Sequence, residues 1–221
     1  MVYGRKVSGI LFIGVISMCG RYVVYTDDEF EDIKSIVDEV SEKYKETKIA
    51  NGEVFPTNNI PVIYNHNSRY VLSAAKWGFP NFKNSGVIIN ARAETIAEKP
   101  MFKKPFISSR CLVPANGYFE WLTHENKKKT KYLINLKEKS SFYMAGLYNM
   151  FTDKETDVPY AAIVIVTTDA NLDISFIHNR MPVILPDNKV DTWLDCSIVD
   201  FSILQGLLAP VPAGIMSFKT A

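Results

Sequence analysis

Cysteine and histidine are scarce in this chain, with three of each among 221 residues. Three cysteines cannot all pair within one chain, and none is spaced as Cys-x-x-Cys, which speaks against a disulfide framework and against a structural zinc site. Excess charge of either sign is missing too: Lys+Arg 25 against Asp+Glu 24 give a formal net charge of +1. A polybasic protein that coats nucleic acid through bulk charge is thereby excluded, although a local basic groove is not. No apolar run reaches the roughly 20 residues that a membrane-spanning helix needs. Repeats, linkers and low-complexity segments are absent. What is present is the make-up of a folded protein, 47% hydrophobic and 22% charged, with ample apolar surface to offset chain entropy. At about 150 residues per domain, the length fits one compact domain or at most two small ones.

Residues 1–18 read differently from the rest. Arg5 and Lys6 precede the apolar run Ile10–Ile16. Such a run fits the core of a secretory signal, or a lipoprotein signal ending at Cys19, although Met18 is a poor small residue before that cysteine. A third reading takes Met18 as the true start and residues 1–17 as a translated upstream stretch. It is favoured because an initiator Met before the small Cys19 is readily removed.

Beyond this point Thr26-Asp27-Asp28-Glu29 has the form of a capping box. It predicts a helix to about Glu46 with Phe30, Ile33, Ile36, Val37, Val40 and Tyr44 on one stripe. Strands follow at Ile60–Tyr64 and Tyr70–Trp77, paired as a hairpin, then at Cys111–Trp121, Tyr132–Leu136, Phe142–Tyr148 and Ala161–Thr168. Short helices are expected at Ala170–Ile177, Asp187–Leu194 and Ile198–Leu208. Strands in the middle with helices at the ends predict a single α+β domain around a curved, mostly antiparallel, barrel-like sheet. The lysines at 127–129 and Lys131 read as a solvated hairpin loop or as phosphate contacts.

Few residues here are suited to covalent or proton-transfer chemistry. His66 and His124 lie in polar loop sequence and read as solvated. His178 opens His178-Asn179-Arg180-Met181-Pro182 ahead of a strand, which suggests the rim of a site or a structural histidine. Cys111 and Cys196 lie in apolar surroundings and read as buried thiols. Cys19 is distinct. If Met18 is removed, it carries a thiol and an α-amine on adjacent carbons, and the amine has an unperturbed pKa of about 7.7–8.0. Such an amine condenses with an aldehyde to an imine, and the thiol closes on the imine carbon as a thiazolidine. Glu120, inside the aromatic run Gly117–Trp121, is either a solvent-facing strand residue or a carboxyl with a raised pKa suited to acid–base work. Alternation places Asn90, Arg92 and Glu94 on one face if their strand continues, with a helix cap as the other reading. Trp77 has core packing as its default and base stacking as its functional option.

Together these segments resemble the SRAP (SOS-response-associated peptidase) family. The resemblance rests on Met18-Cys19-Gly20-Arg21, Trp77-Gly78, Asn90–Thr95, Cys111–Trp121, Val166-Thr167-Thr168 and His178–Pro182, in this order, and it spans Met18 to about Leu208. It implies a protein that binds single-stranded DNA containing abasic sites and crosslinks to the ring-opened sugar through an N-terminal cysteine, with lyase and self-cleaving peptidase activity as family extensions. Carried over by motif, Cys19 is the nucleophile, Asn90 orients the amine and sugar, Glu120 shuttles protons, and His178 assists ring opening. Arg21, Arg92 and Arg180 resemble phosphate-clamping arginines, and Trp77 borders the DNA path. No metal or cofactor is implied. A cytoplasmic, nucleoid-associated monomer without a membrane partner is expected. The resemblance also requires a free N-terminus at Cys19, so residues 1–18 are expected to be absent from the functional protein, which then comprises residues 19–221. That loss removes Arg5 and Lys6 and no acid, taking the formal charge from +1 to −1.

There are two departures from the family pattern. The chain ends at Ala221, where many relatives continue, and Glu53 stands where they carry a neutral residue. The rival reading is an N-terminal-nucleophile cysteine amidohydrolase acting on an amide; a papain-like protease is disfavoured because Asn90 precedes His178. An acylated lipoprotein conflicts with the amine chemistry. A non-catalytic DNA-binding module would leave Cys19 structural.

Overall fold

The computed structural model describes residues 19–27 and 30–221. The apolar run at 10–16 and Asp28 and Glu29 of the expected capping box lie outside the described residues. A short strand, β1 (Tyr22–Val24), leads into helix α1 (Glu31–Lys43), which starts without a side-chain cap. The helix ends at Lys43 rather than near Glu46 and leaves Phe30 and Tyr44 as half-buried flanking residues, whereas Ile33, Ile36, Val37 and Val40 of its predicted stripe are buried. Burying each is worth about 1.5–3 kcal/mol, which outweighs the weaker helix propensity of β-branched residues.

After β2 (Gly52–Val54), strands β3 (Asn59–His66) and β4 (Arg69–Trp77) form the expected hairpin. Its tip, Asn67-Ser68, has positive φ at both residues (53° and 60°), the turn geometry whose twist matches the flanking strands. A two-strand ribbon, β5 (Phe79–Pro80) and β6 (Val87–Ile88), precedes β7 (Asn90–Arg92). A helix the sequence reading did not anticipate, α2 (Pro100–Ser108), precedes β8 (Arg110–Ala115). Then come β9 (Gly117–Thr123), β10 (Lys129–Leu136), β11 (Phe142–Thr152) and β12 (Pro159–Asp169). The chain finishes with β13 (Arg180–Pro182), β14 (Ile184–Leu185), α3 (Asp187–Leu194), α4 (Phe201–Gly206) and β15 (Met216–Thr220).

Strands β12, β4, β3, β8 and β11 close on themselves into a five-stranded barrel. Four of its pairings are antiparallel, so around a ring of five the remaining one, β4 with β12, must be parallel, and it is. The barrel interior holds one apolar core that includes Val62, Ala75, Val113, Met144, Ile163 and Ile165. A second antiparallel sheet, β2-β1-β9-β10-β15, covers one side. The architecture is thus α+β with a closed mixed barrel flanked by helices. Among the described residues, no helix is long and apolar enough to cross a membrane.

Three expectations need correction. Cys111–Trp121 is not one strand: it breaks at Asn116 between the two sheets. The Asn116 amide supports the break, accepting from Tyr25 N at 2.7 Å and donating to Ser140 O at 2.9 Å. Residues 170–177 form successive turns, not a helix, stitched by bonds such as Ser175 N to Asn171 O. Cys196 is only partly buried, whereas Cys111 is fully enclosed.

Gly78 makes the sharp exit from β4 at φ +123°, and a Cβ there would sit 2.7 Å from the Val87 side chain. Gly78→Ala combines a disfavoured backbone with a clash, so a loss of about 2 kcal/mol or more is expected. For a domain of this size that is a fall in Tm of roughly 4–8 °C, measurable by thermal unfolding.

Candidate active site

Strand β12 is the scaffold. Its first half belongs to the barrel, pairing with β11 and β4; its second half runs on and pairs with β7 through Ile165–Thr167 and with β13 through Thr167–Asp169. Asn90 and His178-Arg180 are thereby brought to one end of the barrel. The covering sheet supplies the rest, because β1, which follows Cys19, pairs with β9, which carries Glu120.

Cys19 is buried there, 4% exposed. Its main-chain nitrogen donates to Glu120 Oε1 at 2.7 Å, and its thiol points at the Arg180 carbonyl, 3.9 Å away. Asn90 Nδ2 donates to the Cys19 carbonyl at 3.4 Å. His178 Nδ1 lies 4.0 Å from Glu120 Oε1 and accepts from Arg180 N at 3.1 Å. The same nitrogen also lies 3.4 Å from the Arg180 carbonyl, to which it donates in the tautomer that carries its hydrogen there. Cys19, Asn90, Glu120 and His178, spread over 160 positions of sequence, therefore meet around one atom group.

Electrostatics sharpen the roles. Burial pushes the Glu120 carboxyl above the usual carboxylate range, partly offset by hydrogen bonding from Cys19 and by the nearby His178. Burial likewise pushes the Cys19 thiol well up, and the Glu120 charge adds to it. The thiol is accordingly held neutral beside a carboxyl that titrates late.

The expected DNA-facing residues divide. Arg92, half-buried on β7, has no ion pair among the described residues. Arg21 lies 3.8 Å above the Phe55 ring and donates to Glu53 Oε1 at 2.9 Å, while Lys131 reaches the same oxygen at 2.7 Å. Burial opposes the Glu53 charge, but the hydrogen bonds from Lys131 and Arg21 prevail and hold its carboxyl below the ordinary range. Glu53 thus occupies the cations of this face.

Arg180 and Trp77 do not present themselves to a ligand. The Arg180 guanidinium is buried in a fork with Glu94 (2.8 and 2.9 Å), bonded also to Asp169 (2.6 Å) and to the Thr167 carbonyl (2.8 Å). A phosphate would have to displace two carboxylates from it, so it acts in this arrangement as a brace for the His178 turn. Trp77 is fully buried, edge-on to Tyr22, with its indole N–H donating to Ile89 O at 3.1 Å. The same carbonyl accepts from Ile165 N at 3.0 Å, so two donors fix the residue before Asn90. Glu94 and Asp169 were missed as site-building residues. The strand expected to carry Asn90, Arg92 and Glu94 on one face ends at Arg92, and Glu94 lies in a following 3-10 turn. A cavity of about 560 Å³ opens at the other end of the barrel, lined by Tyr44, Tyr64, Tyr148 and Tyr160 among others, and contains none of the four clustered residues.

The model of a known family, the SOS response associated peptidases (SRAP), matches residues 18–220. The chain belongs to the SRAP family. Its relatives include the abasic site processing protein YoqW of Bacillus subtilis, 37% identical over 210 residues and covering 90% of each chain. YedK of Escherichia coli, also described as an abasic site processing protein, is 28% identical over 181 residues, covering 80% of this chain and 79% of its own. A crystal structure of a Bacteroides thetaiotaomicron protein superposes with a TM-score of 0.76 at 29% identity over 91% of each chain. The SRAP match starts one residue before Cys19, the residue at the centre of the cluster.

Proposed function

We propose that this SRAP protein binds single-stranded DNA at an abasic site and forms a covalent thiazolidine crosslink with the ring-opened sugar through Cys19 as the N-terminal residue. The observation that carries the reading is the 2.7 Å contact between the Cys19 main-chain nitrogen and the buried Glu120 carboxylate. Once residues 1–18 are gone, by self-cleavage or otherwise, that nitrogen is the α-amine, and Glu120 is its proton acceptor.

The steps balance. The free amine attacks C1′ of the sugar aldehyde, forming a C–N bond. Glu120 relays the two amine protons in turn to the aldehyde oxygen, which leaves as water, and a neutral imine results. The Cys19 S–H then adds across C=N: a C–S bond forms and the proton goes to nitrogen, closing the ring. A thiol held neutral by burial suits this last addition. It suits amide hydrolysis poorly, because that rival chemistry needs a thiolate. His178, 4.0 Å from Glu120, is assigned as the acid–base group that assists opening of the sugar ring. Asn90 holds the Cys19 carbonyl and so aims the amine; reacting atoms must be kept within about 3–3.5 Å. The whole cluster comes from one chain, which supports a monomer, and its substrate would place the protein in the cytoplasm with the nucleoid.

Arg92 and Arg21 are assigned to phosphates of the single strand. Arg92→Ala should weaken binding and flatten the dependence of log affinity on log salt by about 0.7, the slope per phosphate for a single strand. Glu53→Gln should do the reverse, tightening binding and steepening the slope, because it frees Arg21 and Lys131 from a competing carboxylate. Fluorescence anisotropy across a salt series reads both. The function itself is tested by incubating the protein with an abasic single-stranded oligonucleotide. An adduct that survives a denaturing gel is expected, and turnover of an amide substrate without any adduct would contradict it.

A further inference from the structure

Beside the reaction centre three aromatic rings form a ledge that the chemistry above does not use. Tyr132 stands directly across from Glu120 in the β9–β10 register, and Phe218 stands across from Ile134 on β15. Phe176 comes from the turns that end at His178. The ring centroids are 5.0 Å apart for Phe176 and Phe218, 6.0 Å for Tyr132 and Phe218, and 6.3 Å for Tyr132 and Phe176. Phe176 is 50% and Phe218 44% exposed.

This exposure is built in rather than frayed. Ile174 and Ile177 of the same turns are buried in the core, which leaves Phe176 outward. Asp173 accepts from Gly214 N at 2.8 Å and Met216 N at 3.0 Å, tying the turns to β15 and holding Phe176 against Phe218. Contiguous exposed apolar rings of this kind mark a binding surface. Two phenyl faces are far smaller than the about 800 Å² per partner that a stable protein interface needs. They match one planar heterocycle, and they continue from Glu120 through Tyr132 without interruption.

We infer that the Tyr132–Phe176–Phe218 ledge is a stacking site for the nucleobase next to the abasic residue in the bound single strand. The inference rests on the function proposed above and adds to it a subsite of defined chemistry. A stacked base anchors the strand where the missing base cannot, and it does so without regard to sequence, because every base has a π-face.

The test uses an oligonucleotide with an aldehyde-free tetrahydrofuran abasic analogue and 2-aminopurine at one neighbouring position, then at the other. The unsubstituted protein should quench the fluorophore at one of the two positions. The Phe176→Ala/Phe218→Ala variant should not, and should bind about tenfold more weakly, the order expected for one lost stacked base. Deleting that neighbouring base from the strand should cost the unsubstituted protein the same tenfold and the double variant nothing further. Phe176→Leu, which keeps apolar bulk without a ring, should also lose quenching, and this guards against an effect of misfolding. Equal quenching at both positions in protein and variants, or no penalty on deleting either base, overturns the ledge. So does a concentration-dependent doubling of mass that the double variant abolishes, which would make the ledge a self-association surface. Crosslinking of the reactive abasic strand by the unsubstituted protein separates the two readings: its absence defeats the proposed function, while its presence without base dependence defeats the ledge alone.

Discussion

Cys19→Ala is expected to eliminate the stable adduct while leaving noncovalent affinity for abasic single-stranded DNA within about twofold, a change of under about 0.5 kcal/mol. The variant keeps an α-amine, so it still forms an imine with the sugar aldehyde. Without the thiol there is no ring closure, and the imine is returned to water on denaturation. Borohydride reduction before the gel should therefore rescue an adduct in Cys19→Ala, which separates the work of the nitrogen from that of the sulfur. The thiol lies 3.9 Å from the Arg180 carbonyl and beside the Glu120 carboxyl, and the arginines proposed to face phosphate lie elsewhere, so binding has no reason to fall. Loss of adduct together with loss of binding would point to a structural Cys19.

The second large effect is at Glu120. Glu120→Gln keeps the shape and an acceptor oxygen for the Cys19 nitrogen but cannot take a proton. General acid–base assistance is worth about 10²–10⁴-fold, and a slowing of crosslink formation in that range is expected from single-turnover time courses. The pH dependence identifies the group. Burial raises the Glu120 pKa above the ordinary carboxylate value, so its charge is lost as pH falls through that raised value, earlier than for an exposed glutamate. The unsubstituted protein should lose rate on the acid side through two ionisations, the carboxyl and the amine. The variant should keep only the amine's. Profiles of the same shape in both proteins would remove Glu120 from proton transfer.

How much of this was legible in the sequence follows from which forces are local. The α1 stripe and the β3–β4 hairpin carry their own periodicity and turn residues, and both appear where expected. The break at Asn116 has a local mark as well, the Asn116-Gly117 turn dipeptide, but it sits inside a run that is otherwise mostly apolar and aromatic and reads as one strand. What divides it is a pair of hydrogen bonds to Tyr25 and Ser140, both distant in sequence. Residues 170–177 have helical composition, but the Asp173 carboxylate is spent on the amides of Gly214 and Met216, and tertiary ties set the backbone there. Cys19, Asn90, Glu120 and His178 each stand out by residue chemistry, but only the ordered motifs join them into one site. Their convergence depends on barrel closure along β12, which no local spacing encodes. Arg180 shows the limit of motif reading: next to His178 it looks like a free cation, yet Glu94 and Asp169 enclose it from 86 and 11 positions away. Trp77 shows the same limit from the apolar side. Its ring is fully buried and its N–H holds the Ile89 carbonyl, so it offers no surface to a base.

The central claim is that Cys19, as the N-terminal residue, joins the abasic sugar through both its nitrogen and its sulfur. Intact-mass spectrometry of the purified adduct with an abasic oligonucleotide tests it most directly. The expected mass is that of residues 19–221 plus the oligonucleotide, less one water, unchanged by borohydride because a closed thiazolidine has no C=N bond to reduce. An adduct that retains residues 1–18, or one that gains two hydrogens on reduction, would contradict it.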